Sequence, residues 1–161
     1  MSLVEFKNLS KNYGTKQALV DVNIKFEKGK IYGLLGPNGS GKTTMIKIIN
    51  DLLQPSGGEI LVNGKEPGIE SKKIISYLPE RTYLNMNMKV SELIQFFKDF
   101  YDDFDEEKAT KLLEKLKINK TDRLKNMSKG TKEKVQLIMV MSRKAELYIL
   151  DEPIGGVDPA S

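Results

Sequence analysis

The run "LLGPNGSGKTTMIKII", residues 34–49, constrains the fold more than any other stretch. Gly36, Gly39 and Gly41 fall within six positions, between an apolar run that reads as strand and a run that reads as helix. Glycine weakens both kinds of element, so a joint built from three of them needs backbone conformations that other residues avoid. Gly36 to Thr43 matches G-x-x-x-x-G-K-[ST] throughout. In that setting the chain curls so that successive N–H groups converge into an anion nest, and the following helix adds the positive end of its dipole. The donors are the amides of Gly39, Ser40, Gly41, Lys42 and Thr43. Gly36, Pro37, Asn38 and Thr44 complete the binding stretch. A polyphosphate fits such a socket. Lys42 then reaches the terminal phosphates, and the Thr43 hydroxyl ligates Mg²⁺. A glycine turn with a surface lysine is the competing reading, and the full motif in this context disfavours it.

The rest of the chain supplies a mixed α/β scaffold. "LVEFKNLS" and "ALVDVNIKFEKG" read as strands. In the second, Val20, Val22, Ile24 and Phe26 alternate with polar neighbours, the mark of an antiparallel sheet with one wet face. "EKGK" at 27–30 is a turn, and "IYGLL" at 31–35 reads as a short buried strand. Helical character runs from Lys42 to about Leu52. "EILVNG" and "KIISYLP" read as strands, the latter buried and ended by Pro79. From Lys89 to Lys117 the pattern turns helical. Ser91 is a candidate cap for one helix, and Asp105 for a second with Ala109, Leu112, Leu113 and Leu116 on one stripe. A further helix spans about Gly130 to Lys144, and "ELYILDEP" ends the pattern as an apolar strand meeting two acids. The expectation is a mixed α/β domain with a helical insertion at about 85–145.

A nucleoside triphosphate site also needs an acid for the metal. Asp151 stands at the carboxyl end of "LYILDE", where ligands gather in open α/β sheets, and is placed to hold the Mg²⁺ shell. Glu152 follows it and can orient or deprotonate an attacking water. Without the phosphate loop, both acids would read as strand-end solubilisers. The chain has no histidine and no cysteine, which removes the usual general base, thiolate metal sites and disulfides. The 26 basic against 22 acidic residues leave a net charge of +4. That excess is too small and scattered to indicate nucleic acid. No apolar stretch is long enough to span a bilayer.

"MSKGTKEKVQL", upstream of "LYILDEP" and "GGVDP", resembles the signature sequence of ATP-binding cassette (ABC) proteins, and the resemblance covers essentially the whole chain. It implies a P-loop NTPase fold of three layers: a mixed sheet, an N-terminal antiparallel β portion and a helical subdomain, all in one ABC ATP-binding domain over 1–161. It implies ATP and Mg²⁺ as ligands, and ATP hydrolysis as the activity. Tyr13 lies where the family stacks an aromatic ring on adenine. Glu80 holds the position of the usual glutamine that contacts Mg²⁺ and water. Ser128 and Gly130 match the signature residues that bind the γ-phosphate held by a second subunit, while Lys129 and Thr131 depart from the common Gly and Gln. Asp158 matches the aspartate that crosses the dimer interface. The "SKG" form followed by basic residues resembles a bacterial branch tied to export.

The implied assembly is two such subunits, identical or not, sandwiching two ATP molecules. Its partner is a transmembrane permease subunit, docked on the segment after Glu80 and the helices to about Lys117. Tyr83, Leu84, Met86 and Met88 look exposed and suit that contact, and ordinary packing under a loop is the equal alternative for each. The location implied is cytoplasmic, peripheral on the inner face of the cell membrane. No nucleic acid is expected as partner. The main rival is a soluble ABC ATPase acting on DNA or ribosomes. Against it, the interval from Lys42 to Ser128 shows no sustained heptads, and the chain holds one cassette. A nucleotide-binding module without turnover is the third reading. The chain ends at Ser161, before the family's histidine. It is therefore expected to be C-terminally truncated, and to bind ATP weakly, fold poorly or hydrolyse slowly.

Overall fold

Alternating residues in the first 27 positions make a long antiparallel hairpin, β1 (Ser2–Tyr13) and β2 (Lys16–Glu27), turned at Gly14, which has φ 57°. The computed structural model describes residues 2–81 and 84–152. They divide into two units, 1–75 and 76–161, each described by itself.

In the first unit β1 is central, with β2 on one side and β3 (Gly57–Val62) antiparallel on the other. Val4 pairs with Phe26 and Val62, and Phe6 with Ile24 and Ile60. The expected alternation of β2 holds only in part. Val22 and Phe26 are half-buried, but Val20 and Ile24 are exposed and Leu19 is buried instead. The cause is a register shift. Asp21 takes φ 47°, and pairing steps from Leu9–Val22 to Lys11–Leu19. An extra residue in one strand reverses which side chains face inward. α1 (Lys42–Ile49) buries Met45, Ile46, Ile48 and Ile49, and ends at Asn50, earlier than expected. α2 (Ile69–Ile74) has no counterpart in the sequence reading. The stretch that reads as the start of a buried strand first makes a short helix, in which Gly68 N–H donates to Ser71 Oγ at 2.9 Å.

The buried strand expected at 31–35 does not form. Residues 31–37 carry no regular structure, and Ile31 and Leu35 are exposed, the latter at 92%. A short apolar strand gains its stability from neighbours that satisfy its backbone groups. No strand among the described residues pairs with this run.

In the second unit β4 (Ile75–Leu78) and β5 (Leu147–Leu150) form a two-stranded sheet. Between them come α3 (Val90–Phe100), α4 (Glu106–Lys115), a 3₁₀ turn (Leu124–Asn126) and α5 (Lys129–Met141). α3 begins before the expected cap Ser91. Its start is fixed by Lys89 N–H donating to Glu92 Oε2 at 2.7 Å. Asp105 caps α4 as expected, accepting from Lys108 N–H at 3.0 Å. Ala109 and Leu113 of the α4 stripe are fully buried, and Leu112 packs beside them. Leu116, past the helix end, is exposed. They join Val90, Leu93, Ile94, Phe97, Leu124, Val135, Ile138 and Met139 in one core. At about 25 cal/mol per Å² of apolar area removed from water, these side chains dominate the stability of the unit. Lys98 links α3 to Glu106 of α4 at 2.6 Å, and that carboxylate holds the Lys98 ammonium above its ordinary pKa.

Candidate functional site

The glycine stretch has the shape its sequence demands. Gly39 and Gly41 take φ 83° and 95°, the left-handed region that side chains disfavour. Ser40 N–H donates to Pro37 O at 3.2 Å and closes the turn. A Cβ on Gly36 would stand 2.7 Å from Ser40 Oγ, so the loop encloses a space that only glycine leaves open. A Cβ on Gly41 would meet Ala18 O at 2.6 Å. Gly41 therefore lies closer to β2 than a residue with a side chain could. No side chain caps α1, so its first-turn N–H donors face outward without a side-chain acceptor. The Lys42 ammonium lies over the loop, bonded to Gly36 O, to Pro37 O at 2.8 Å and to Ser40 Oγ at 3.3 Å. Lys42 and Thr44 are half-buried, Thr43 exposed. Tyr13, half exposed, brings its hydroxyl to 3.5 Å from Thr44 Oγ1, which puts the ring beside the same helix start. The first unit thus brings together Tyr13 and Gly36 to Thr44, Pro37, Asn38 and Thr43 included.

The second unit carries the acids at and after the ends of two strands, and no metal-holding cluster of three acids forms among its described residues. Asp151 N–H donates to Leu78 O at 2.9 Å, which sets the carboxyl ends of β4 and β5 side by side. Glu80 follows one of those ends and Glu152 the other, both exposed, while Asp151 is buried. Glu152 takes φ 48°, unusual for a residue with a side chain. Such strain gathers at working positions. Ser128 is exposed at the start of α5, where its Oγ accepts from Thr131 N–H at 3.2 Å and lies 2.8 Å from Thr131 Oγ1. Lys129 and Gly130 are exposed beside it. Asp158 and Tyr83 lie outside the described residues. For Leu84 and Met86 the structure takes the alternative of packing over that of exposure. Both pack against the helical core, and Met88 is half-buried. The cause is backbone pairing: Lys125 N–H donates to Met86 O at 2.8 Å and Leu124 N–H to Met88 O at 3.0 Å.

Sequence reasoning missed two features here. Phe96 and Phe100 form an exposed stacked pair with centroids 5.1 Å apart. Both lie on the i, i+3, i+4, i+7 stripe that begins at Leu93, so helical spacing groups them with the buried Leu93 and Phe97 and gives no sign of their exposure. The Ser128 cap on Thr131 N–H is no such miss: a serine opening a helix reads as a cap, alongside its match to the signature. The pair of buried Arg143 and half-buried Asp103 had no signal, since the two are 40 positions apart.

A phosphate loop opening a helix, with acids at the ends of neighbouring strands, defines the class: a P-loop NTPase of the ABC ATPase fold, mixed α/β with an N-terminal antiparallel sheet. The family model described as ABC transporter matches residues 19–155, and the chain belongs to that family as an ATP-binding domain. It is similar to the ABC transporter ATP-binding protein YtrB of Bacillus subtilis (strain 168), 34% identical over 160 residues. That match covers 97% of this chain and 54% of YtrB. It is similar as well to the SkfA peptide export ATP-binding protein SkfE of the same organism, 34% identical, covering 98% of this chain and 69% of SkfE. Among solved structures, an ATP binding subunit of an ABC transporter superposes with a TM-score of 0.86 at 31% identity, covering 98% of this chain and 69% of that one. The chain thus spans roughly half to two thirds of these relatives.

Proposed function

We propose that the protein is the ATP-hydrolysing subunit of a membrane exporter and works as an ATP-sandwiched dimer. The observation that carries this reading is the phosphate loop: two left-handed glycines, an uncapped α1 and the Lys42 ammonium gathered over one small space. That donor set fits a polyphosphate and leaves no room for side chains at Gly36 or Gly41. Thr43 in the first unit, and Asp151 and Glu80 in the second, each offer the hard oxygen donors that Mg²⁺ takes. When bound, the metal would neutralise charge developing on the β- and γ-phosphate oxygens.

This chain's own residues divide the remaining work. Amides from Gly39 to Thr43 orient the phosphates, and Lys42 stabilises charge on the terminal ones. The Tyr13 ring stacks on adenine. Glu152 orients a water and accepts its proton, with the strained backbone fixing the carboxylate's direction. Ser128 and Gly130 of one subunit donate to the γ-phosphate held by the other, and Asp158 contributes at the same interface. ATP joins the subunits, and hydrolysis leaves two anions that repel, a ligand-driven population shift. The exposed Phe96–Phe100 pair supports docking of a membrane-spanning permease on α3. No helix among the described residues is long and apolar enough to cross a membrane. Export, rather than import, is supported by the SKG signature and by the peptide export for which SkfE is named.

The test is Glu152→Gln in the intact protein. It should lower turnover by about 10²–10⁴-fold, the worth of a general base, and accumulate an ATP-bound dimer by analytical ultracentrifugation. Unchanged turnover would remove Glu152 from the mechanism, and absence of any nucleotide-dependent dimer would remove the sandwich.

A further inference from the structure

Among the described residues, the hydrogen bonds that tie α5 to other elements gather at one end. At its start the bonds are local, between Ser128 and Thr131. At its other end four consecutive carbonyls each find a donor from elsewhere in the same unit. Val140 O accepts from Ser76 Oγ at 2.8 Å, Met141 O from Lys108 Nζ at 2.7 Å, Ser142 O from Asp105 N–H at 2.7 Å, and Arg143 O from the Tyr148 hydroxyl. Beyond them Arg143, 5% exposed, forks onto both oxygens of Asp103 at 2.9 and 3.1 Å. Its guanidinium carbon lies 4.0 Å from the Tyr101 ring centroid, and Lys144 N–H returns to Asp103 O at 3.0 Å.

We propose that Arg143, gripped by Asp103 and Tyr101, is a positioning residue that aims the start of α5, and so Ser128, at the nucleotide of the facing subunit. This inference rests on the dimer reading above. An ion pair between a buried Arg143 and a half-buried Asp103 is a poor source of stability, since exposure screens such a pair and apolar groups of equal volume do as well where it is buried. What a planar fork supplies that they lack is direction. The lever is long. Thirteen residues at about 1.5 Å each put Ser128 about 20 Å from the clamp, so a tilt of about 5° moves it by about 2 Å. A hydrogen bond does not survive that displacement, and misplacements of about 1 Å elsewhere cost on the order of 10²-fold.

Tyr101 extends the path outward. It packs on Phe97 and Phe100, and Phe100 is half of the exposed aromatic pair.

The test places Asp103→Leu with Arg143→Met in the Glu152→Gln background of the intact protein. Three quantities are measured: the urea midpoint, the affinity of the unassembled subunit for a fluorescent ATP analogue, and the ATP-dependent dimer constant. The expected result is an unchanged midpoint, unchanged analogue affinity and a dimer weakened about tenfold or more. A merely structural clamp would let the apolar pair restore stability and dimer together, and that outcome overturns the proposal. If the apolar pair fails to fold, Arg143→Lys decides, since it keeps the charge without the fork. It should give an intermediate dimer constant, and one equal to the parent overturns the proposal. Should Glu152→Gln alone form no dimer, the dimer reading itself has failed, and this one with it.

Discussion

α1 and α5 both open in loops, and both openings carry residues assigned to phosphate, yet they are built in opposite ways. The α1 start has no side-chain cap and lies close to β2 where it begins, with Gly41 set against Ala18 O. The α5 start is capped by Ser128, and its helix is fixed at the far end, by carbonyl contacts and the Arg143 fork. A start held by its own backbone is rigid without help from distant residues, as suits a socket that keeps its nucleotide. A start held at arm's length swings when its anchor shifts, as suits a contact made and broken once per cycle.

Lys42→Ala tests the socket most severely. Its ammonium bridges Gly36, Pro37 and Ser40, and it is the one full positive charge in the loop. Removing a preorganised donor of that kind lowers turnover by about 10²–10³-fold. The same change should leave the α5 start untouched, so amide exchange at residues 128–132 stays as in the parent. A steady-state assay and exchange mass spectrometry on one preparation would show both. Altered exchange there would mean that the two helix starts are not separately held.

Gly41→Ala is the next largest. The new methyl meets Ala18 O at 2.6 Å in a backbone at φ 95°, and strain of this kind costs about 1–3 kcal/mol. The helix start must move away from β2, so the affinity for a nonhydrolysable ATP analogue should fall with the melting temperature. A loss of stability with unchanged affinity would show that the socket does not depend on this close approach.

The difference between the two helix starts also explains what is legible in the sequence. The glycine loop is legible because its determinants are local: each left-handed position is a glycine and the motif spans eight residues. Asp105 and the Ala109–Leu113 stripe are legible for the same reason, through capping and helical period. The 31–35 run misleads, because an apolar pentapeptide is a buried strand only if neighbours pair with it, and periodicity carries no word about neighbours. A strict period of two points Val20 and Ile24 inward and cannot foresee the slip at Asp21. Leu84 and Met86 look exposed in sequence because what covers them lies far along the chain, as Lys125 does in pairing with Met86. The Arg143 clamp fails to show for the same reason. Long-range contacts decide it, and no local pattern announces them.

The smallest effect separates a cap from a contact. Ser128→Ala and Asp105→Ala each delete one side-chain acceptor from a helix start, Thr131 N–H losing its partner in one case and Lys108 N–H in the other. Each should cost about 1 kcal/mol of stability, the usual worth of such a cap, and the two melting curves should nearly coincide. Their effects on assembly should differ. Asp105 also gives its backbone N–H to Ser142 O, a bond the alanine keeps, so the anchored end of α5 stays in place and the nucleotide-dependent dimer forms as before. On the proposed dimer reading, Ser128→Ala also removes a hydroxyl that would reach the facing subunit's γ-phosphate, and it should weaken the dimer beyond what one lost cap explains. If both variants dimerise alike in the Glu152→Gln background, the α5 start is a capped helix terminus and nothing more, and the contrast with α1 reduces to ordinary helix architecture.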